Sequence, residues 1–323
     1  MSLPSLSAID YSAAMPEEPS IAWCSADERA SALRLLHAGL AEDGQTALVH
    51  ALEAVGHQDE SAFVGLLGAR QAGKLSAALW VQLMPGRTAL VWPPAAGDPA
   101  SPALMRSAVA FLDAHDVALA QMLVSPDTPV DEHLFASAGF QELATLLYLT
   151  VDSNYFPESQ PEGNLQFQPR AHAEPERLGQ VLGETYEDSL DCPALNGVRS
   201  AADTIEGYRA QGVSGPGDSD TGRWYFARHD NQDVGTLILR SHADGGNWEL
   251  VYMGIVPTAR GHGYGWQILQ YALWQSQLGK ADRLVLAVDE SNAHALRMYR
   301  RAGFVVWDRR TVYVRFSVAL SNL

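Results

Sequence analysis

Alternating glycines between a strand-like run and a helix-like run are the feature of this sequence most suited to chemistry. Residues 260–265 read Arg-Gly-His-Gly-Tyr-Gly; they follow the apolar run 249–256 and precede the amphipathic run 266–278. Glycines let the backbone approach an anion closely, and the first turn of a helix leaves N–H groups unpaired. The pattern predicts a cradle for a phosphate ester.

Three phosphate-binding designs compete for this segment. A mononucleotide P-loop ends in Gly-Lys-Ser/Thr, which the sequence lacks here. A dinucleotide fingerprint needs a third glycine where Trp266 stands and an acidic residue closing the next strand, whereas Asp282 precedes that strand. The third design is the pyrophosphate loop of acyl-CoA transferases, with Val-Pro, a short spacer, Arg and alternating glycines, and it fits best.

Residues 256–265 closely resemble the coenzyme A loop of the GNAT superfamily of N-acetyltransferases. Downstream, Asn292, Tyr299 and Gly303-Phe304 resemble the second signature of that superfamily, in the same order. The resemblance implies an α/β (α+β) fold with a mostly antiparallel mixed sheet flanked by helices. It also implies an acyltransferase that moves an acetyl group from acetyl-CoA directly to a primary amine in a ternary complex.

The strand pattern of the second half has a counterpart in the first half. Strand-like runs at 224–228, 234–240 and 248–256 are matched by runs at 62–69, 76–83 and 88–92. The distance along the chain from Gly261 to Gly303 equals that from Gly97 to Gly139. Equal spacing predicts two tandem GNAT-like domains, a layout similar to that of the mycothiol synthase family.

The first copy lacks the chemistry of the second. Pro94 and Asp98 stand where the glycine loop would be, and Phe135 replaces the hydroxyl of Tyr299. We therefore expect residues 1–152 to be a degenerate, non-catalytic domain and residues 165–323 to be the catalytic domain. The polar segment 153–164, with two prolines and a glycine, is predicted to be the linker.

The resemblance assigns two groups of site residues. Backbone N–H groups of the loop, with the Arg260 guanidinium as a supporting charge, are expected to hold the pyrophosphate, and an N–H near Gly254 or Ile255 to hold the thioester carbonyl. Asn292 is expected either to hold the amides of the coenzyme or to cap the next helix. The residues expected to bind acetyl-CoA are Ile255, Val256, Arg260, Gly261, His262, Gly263, Tyr264, Gly265 and Asn292.

Two side chains are candidates for proton transfer. Tyr299 is expected to protonate the departing coenzyme A thiolate, because the resemblance places its hydroxyl beside the sulfur; half-buried packing is the alternative role. Glu249 is expected to accept the proton of the attacking amine, as in the histone acetyltransferase branch, and a solvated carboxylate at a strand end is the alternative.

The acceptor is expected to be a small-molecule or peptide amine of cationic character. An acidic group at the end of the helical stretch 175–189 favours it, although a solvated helix face would carry the same charges. The residues in this group are Glu184, Glu187, Asp188 and Asp191.

Composition limits the remaining classes. The net charge of -16 disfavours nucleic acid and anionic membranes as partners. Cys24 and Cys192 are too few for a disulfide framework and too isolated for a structural metal site, so no metal is expected. The sequence has no apolar run of membrane-spanning length, and we expect a cytoplasmic protein. The rival interpretation is a non-catalytic module that binds coenzyme A or docks a partner.

Overall fold

A computed structural model describes residues 19–55, 60–169, 175–198, 200–210, 223–242 and 246–317. Their secondary structure forms two series in the same order, and each series contains six strands and four helices. The N-terminal series is β1 (Ser20–Trp23), α1 (Ala26–Gly39), α2 (Glu42–Val55), β2 (Leu66–Gln71), β3 (Lys74–Met84), β4 (Thr88–Trp92), α3 (Ser101–Ala114), β5 (Leu119–Val124), α4 (Glu132–Ser137) and β6 (Gln141–Asp152).

The C-terminal series repeats this order. It is β7 (Gln166–Pro169), α5 (Pro175–Tyr186), α6 (Ala201–Ala210), β8 (Trp224–His229), β9 (Gln232–Ser241), β10 (Asn247–Ile255), α7 (Tyr264–Leu278), β11 (Arg283–Asp289), α8 (Ala293–Arg301) and β12 (Val305–Phe316). The fold class is α/β, a mostly antiparallel mixed sheet flanked by helices, and the duplication predicted from spacing is present as a duplicated fold.

The predicted elements differ from the observed ones at few places. The run 62–69 was predicted to be a single strand, but Glu60–Phe63 is a 3₁₀ turn and β2 begins at Leu66. The Trp80 indole N–H donates to the Ala62 carbonyl at 3.0 Å, which holds the turn against β3. A Cβ on Gly65 would lie 2.1 Å from the Val81 carbonyl oxygen, so only glycine permits this approach. The predicted turn at 242–246 lies largely outside the described residues.

All twelve strands belong to one sheet, in the order β1-β2-β3-β4-β5-β12-β6-β11-β10-β9-β8-β7. The last strand of each series is therefore inserted into the sheet of the other series. β12 pairs antiparallel with β5 and with β6, and β6 pairs antiparallel with β11. The sequence predicts two sheets, whereas the structure joins them through this exchange of terminal strands.

Each half opens a cleft at the same point of its sheet. β4 and β5 run parallel and pair only from Thr88↔Leu119 to Leu90↔Gln121, and then separate. β10 and β11 pair only from Asn247↔Arg283 to Glu249↔Val285, and a bulge in β10 follows between Leu250 and Tyr252. Because parallel strands that lose their ladder leave backbone groups free between them, each half has a gap that can admit a ligand.

Candidate active site

The C-terminal cleft is a cavity of about 860 Å³ between β10, β11, α7 and α8, closed on one side by the end of α5. The residues expected from sequence that line it are Asp188, Asp191, Ile255, Arg260, Gly261, Gly263, Tyr264, Gly265, Asn292 and Tyr299. Five others do not line it: Glu184, Glu187, Glu249, Val256 and His262.

The glycine loop presents free donors to this cavity. Gly261 and Gly263 have φ of +83° and +76°, and a Cβ on either would meet no atom within 4 Å. Gly263 is the N-cap of α7 and provides no side-chain cap. Within the described part of the chain, no group accepts a hydrogen bond from the N–H of any residue from 261 to 266. A row of unpaired donors at a helix N-terminus favours an anion.

The side chains between the glycines are turned into the loop. The His262 ring contacts the Arg260 carbonyl at 3.0 Å and stacks on Tyr264, with ring centroids 5.5 Å apart. Tyr264 is buried and also packs against His229. Both side chains therefore stabilise the shape of the loop.

Arg260 differs from expectation. Its guanidinium donates to backbone carbonyls at the C-terminal end of α5, those of Thr185 at 3.3 Å, Glu187 at 2.5 Å and Asp188 at 3.2 Å. The carbonyls at a helix C-terminus carry partial negative charge and lack intrahelical partners, which explains why a cation is held there. In this arrangement Arg260 ties the glycine loop to the end of α5 at the wall of the cavity.

Two arginines of α8 also line the cavity, and sequence reasoning missed them. His294, Arg297, Met298 and Arg301 follow the i, i+3, i+4, i+7 spacing of one helix face, and all four line the cavity. The Arg301 guanidinium lies 4.3 Å from the centroid of the Trp266 ring. The spacing itself was the available signal, but arginines on a short helix are also typical of a solvated face.

Tyr299 projects from α8 into the cavity and is buried. Burial, together with Asp191 and Tyr252 nearby, raises the pKa of its hydroxyl above the ordinary value. The hydroxyl makes no hydrogen bond to the residues that the structure describes. Asn292 caps α8, its Oδ1 accepting from the Ala295 N–H at 3.1 Å, so the capping role is realised.

One backbone donor of β10 faces the gap. The Val256 N–H donates to Val234 of the neighbouring segment at 3.0 Å. Since successive N–H groups of a strand alternate between its two edges, the N–H of Ile255 points to the edge that β11 has left. Only glycine fits at position 254, because a Cβ there would lie 2.7 Å from the Tyr252 hydroxyl and 2.7 Å from the Thr185 side chain.

Glu249 lies at the closed end of the gap, at the last paired position of β10. Its carboxylate pairs with the Arg240 guanidinium and accepts from His242 Nε2 at 3.1 Å. Burial alone would raise the pKa of Glu249, but the hydrogen bond from His242 and the charge of Arg240 outweigh it and hold the pKa below its ordinary value. The register with β9 puts Glu249 on the same face as Tyr252.

The acidic residues near the end of α5 occupy different places relative to the cavity. Asp191 Oδ1 accepts from the Asp289 N–H at 2.9 Å, and Asp289 Oδ2 accepts from the Cys192 N–H at 3.1 Å, so this pair fixes the wall of the cavity. Asp188 is exposed at the rim. Glu184 accepts from Gln180 on the outer face of α5 and is turned away from the cavity.

Residues 188–304 match the sequence profile of the Acetyltransferase (GNAT) family. A GCN5-related N-acetyltransferase from Sphaerobacter thermophilus has a similar structure, with a TM-score of 0.60 and 15% identity, over 94% of this chain and 96% of that one. A tandem GNAT protein from the clavulanic acid biosynthesis pathway aligns with a TM-score of 0.52 and 16% identity, over 93% and 98%. Residues 188–304 therefore match the GNAT family, and the fold of the described residues is similar to that of a tandem GNAT protein.

Among curated proteins, the chain is similar to the mycothiol acetyltransferase of Streptosporangium roseum. The two are 31% identical over 88 residues, which is 26% of this chain and 26% of that protein. The match therefore spans about a quarter of each sequence. None of the helices in the described ranges has the length and apolar character needed to cross a membrane.

Proposed function

We propose that the C-terminal half, residues 165–323, transfers an acetyl group from acetyl-CoA to a primary amine in a ternary complex. One observation carries this proposal: the N–H groups of residues 261–266 have no acceptor among the described residues, and their loop borders a cavity of about 860 Å³ that Arg297 and Arg301 also line. The residues suit acetyl-CoA. Backbone N–H donors and the α8 arginines suit its phosphates, and β10 and β11 are unpaired beyond Glu249, which suits its extended arm.

Acetyl-CoA supplies the activated acyl thioester. Residues 261–266 bind the pyrophosphate through their N–H groups, while Arg297 and Arg301 neutralise phosphate charge. The N–H of Ile255 donates to the thioester carbonyl oxygen as negative charge develops there. The new bond joins the amine nitrogen to the carbonyl carbon, and the bond from that carbon to sulfur breaks.

Tyr299 donates its proton to the departing sulfur. Its raised pKa keeps it protonated at neutral pH, so the acid is present when the thiolate forms. The family match and the similarity to a protein named mycothiol acetyltransferase support acyl transfer as the reaction class.

Glu249 is the proposed acceptor of the amine proton, acting through water because it lies outside the lining of the cavity. Its lowered pKa keeps it ionised at neutral pH, so it is able to take up a proton. Asp188 at the rim draws in a cationic amine from solution.

The test is release of free coenzyme A thiol from acetyl-CoA over a panel of amines. We expect turnover with at least one primary amine and a melting temperature raised by acetyl-CoA. Glu249→Gln should lower kcat/KM on the order of 10²-fold, the lower range for a general base. Glu290→Gln, which removes an exposed carboxylate paired with Arg309, is the control. Raised melting temperature without any turnover would favour the binding module instead.

A further inference from the structure

The N-terminal half retains a cleft of its own, with a volume of about 450 Å³. It lies where β4 and β5 separate, between α2 and the inserted strand β12. We call it the N-terminal cleft. Its position corresponds to that of the acetyl-CoA cleft in the other half, but its walls have a different chemistry.

The loop that follows β4 lacks the phosphate-binding features of the glycine loop that follows β10. Pro93 and Pro94 line it and have no N–H to donate. The Asp98 carboxylate accepts from the Ala100 N–H at 2.8 Å, just before α3. Because a carboxylate lies next to the start of this helix, a phosphate there would meet like charge.

Aromatic rings form much of its wall. Trp92, Phe135, Tyr148 and Trp307 line the cleft, and the Tyr148 and Trp307 rings meet edge to face with centroids 6.0 Å apart. Trp92 and Phe135 are buried, whereas the Trp307 ring is 59% exposed.

Carboxylates complete the wall. Asp43 and Asp131 line the cleft, and neither is in an ion pair with a residue that the structure describes. Asp43 accepts from the Ser125 hydroxyl at 3.3 Å, and Asp131 caps α4 through the Leu134 N–H at 2.9 Å. Asp308, in contrast, is neutralised by Arg310 at 2.8 Å. The remaining charge on the wall is negative.

We propose that the N-terminal cleft binds an organic ammonium ion with an aromatic or alkyl body. Aromatic rings and carboxylates in one wall favour such a cation, since aromatic rings attract positive charge and bury an apolar body. This site differs from the acetyl-CoA site in both place and ligand. It does not rest on the catalytic proposal, because binding there requires no turnover.

The probe is benzyltrimethylammonium, which has no N–H and cannot be acetylated. Titration calorimetry of the full chain should give one saturable site, present also when acetyl-CoA is saturating. Asp43→Asn removes a carboxylate of the cleft, and Trp307→Ala removes an aromatic ring. Both side chains are exposed, Trp307 to 59%, so neither substitution should unfold the protein. Each should weaken binding about 2- to 5-fold, the effect of one partly exposed cation–π or charge contact.

The matched controls are Asp127→Asn, an exposed carboxylate near the cleft but outside its lining, and Trp23→Ala, an indole that is 50% exposed elsewhere. Both should bind the probe as the unchanged chain does. Absence of saturable binding would overturn the proposal, as would equal binding of phenylacetate, or unchanged binding in both Asp43→Asn and Trp307→Ala.

Discussion

The two clefts of this protein occupy equivalent places in a duplicated fold, yet their backbones leave different groups free. At the start of α7, the N–H groups of residues 261–266 have no acceptor among the described residues, and their loop borders the C-terminal cavity. Next to the start of α3, the Asp98 carboxylate accepts a hydrogen bond from the Ala100 N–H, so a bound phosphate would meet like charge. The fold provides a gap between separating strands in both halves, and the loop at the end of the first strand decides whether that gap suits a phosphate.

The comparison extends to the second signature. The Phe304 N–H donates to the Tyr299 carbonyl at 3.1 Å, and the Phe140 N–H donates to the Phe135 carbonyl at 2.9 Å. Gly303 and Gly139 both have positive φ. The backbone turn is therefore common to both halves, whereas the proposed proton donor is present only in the C-terminal half.

The exchange of β6 and β12 gives the largest expected effect. Each half expressed alone, as residues 1–160 or 161–323, should lack a cooperative unfolding transition, because its sheet lacks the strand supplied by the other half. Co-expression should give one species with equal amounts of both fragments. The full chain cut between residues 157 and 162 after folding is the control and should stay associated. A cooperative transition in either fragment alone would contradict the strand exchange.

Tyr299→Phe should lower kcat on the order of 10²- to 10⁴-fold, the contribution of a general acid, with acetyl-CoA affinity nearly unchanged. The matched variant, Phe135→Tyr, adds the hydroxyl to the other half and should create no second activity. Loss of the Tyr299 proton ends the acid step as pH rises through its pKa. Since the pKa of Tyr299 lies above the ordinary tyrosine value of 10.0, kcat should show no alkaline decline below pH 10.0. Unchanged kcat in Tyr299→Phe would remove this residue from the mechanism.

Gly261→Ala and Gly97→Ala form a matched pair, because both glycines have positive φ and open space around them. Each substitution should cost about 1–2 kcal/mol of stability from left-handed strain. Only Gly261→Ala should weaken acetyl-CoA binding, on the order of tenfold, since its Cβ would point into the phosphate cradle. Titration calorimetry measures both. Equal affinities in the two variants would show that the loop at 260–265 is not the cradle.

Arg260→Lys should have the smallest effect, and it should change KM for the amine rather than KM for acetyl-CoA. Losing one guanidinium bond to the end of α5 should raise KM for the amine about 5-fold, equivalent to roughly 1 kcal/mol. Arg297→Lys, on the phosphate side, should instead raise KM for acetyl-CoA. If Arg260→Lys changed only the acetyl-CoA constant, its role as a tie between loop and acceptor wall would be wrong.

Local patterns made much of this fold readable from sequence. The glycine loop and α7 follow from motif spacing and helix periodicity, and α7 spans Tyr264–Leu278 where a helix was predicted over 266–278. The strand exchange could not be read, because β6 and β12 have alternating patterns that suit any antiparallel neighbour. The carbonyl contacts of Arg260 and the ion pair of Glu249 were also hidden, since they join residues from elements that only the tertiary fold brings together.

The most direct measurement is the number of acetyl-CoA molecules bound per chain. Titration calorimetry should give one, with the affinity lowered in Gly261→Ala and unchanged in Gly97→Ala. A crystal structure of the complex should show the pyrophosphate on the N–H groups of residues 261–266. Two molecules per chain, or one bound between β4 and β5, would contradict the division of the clefts on which this account depends.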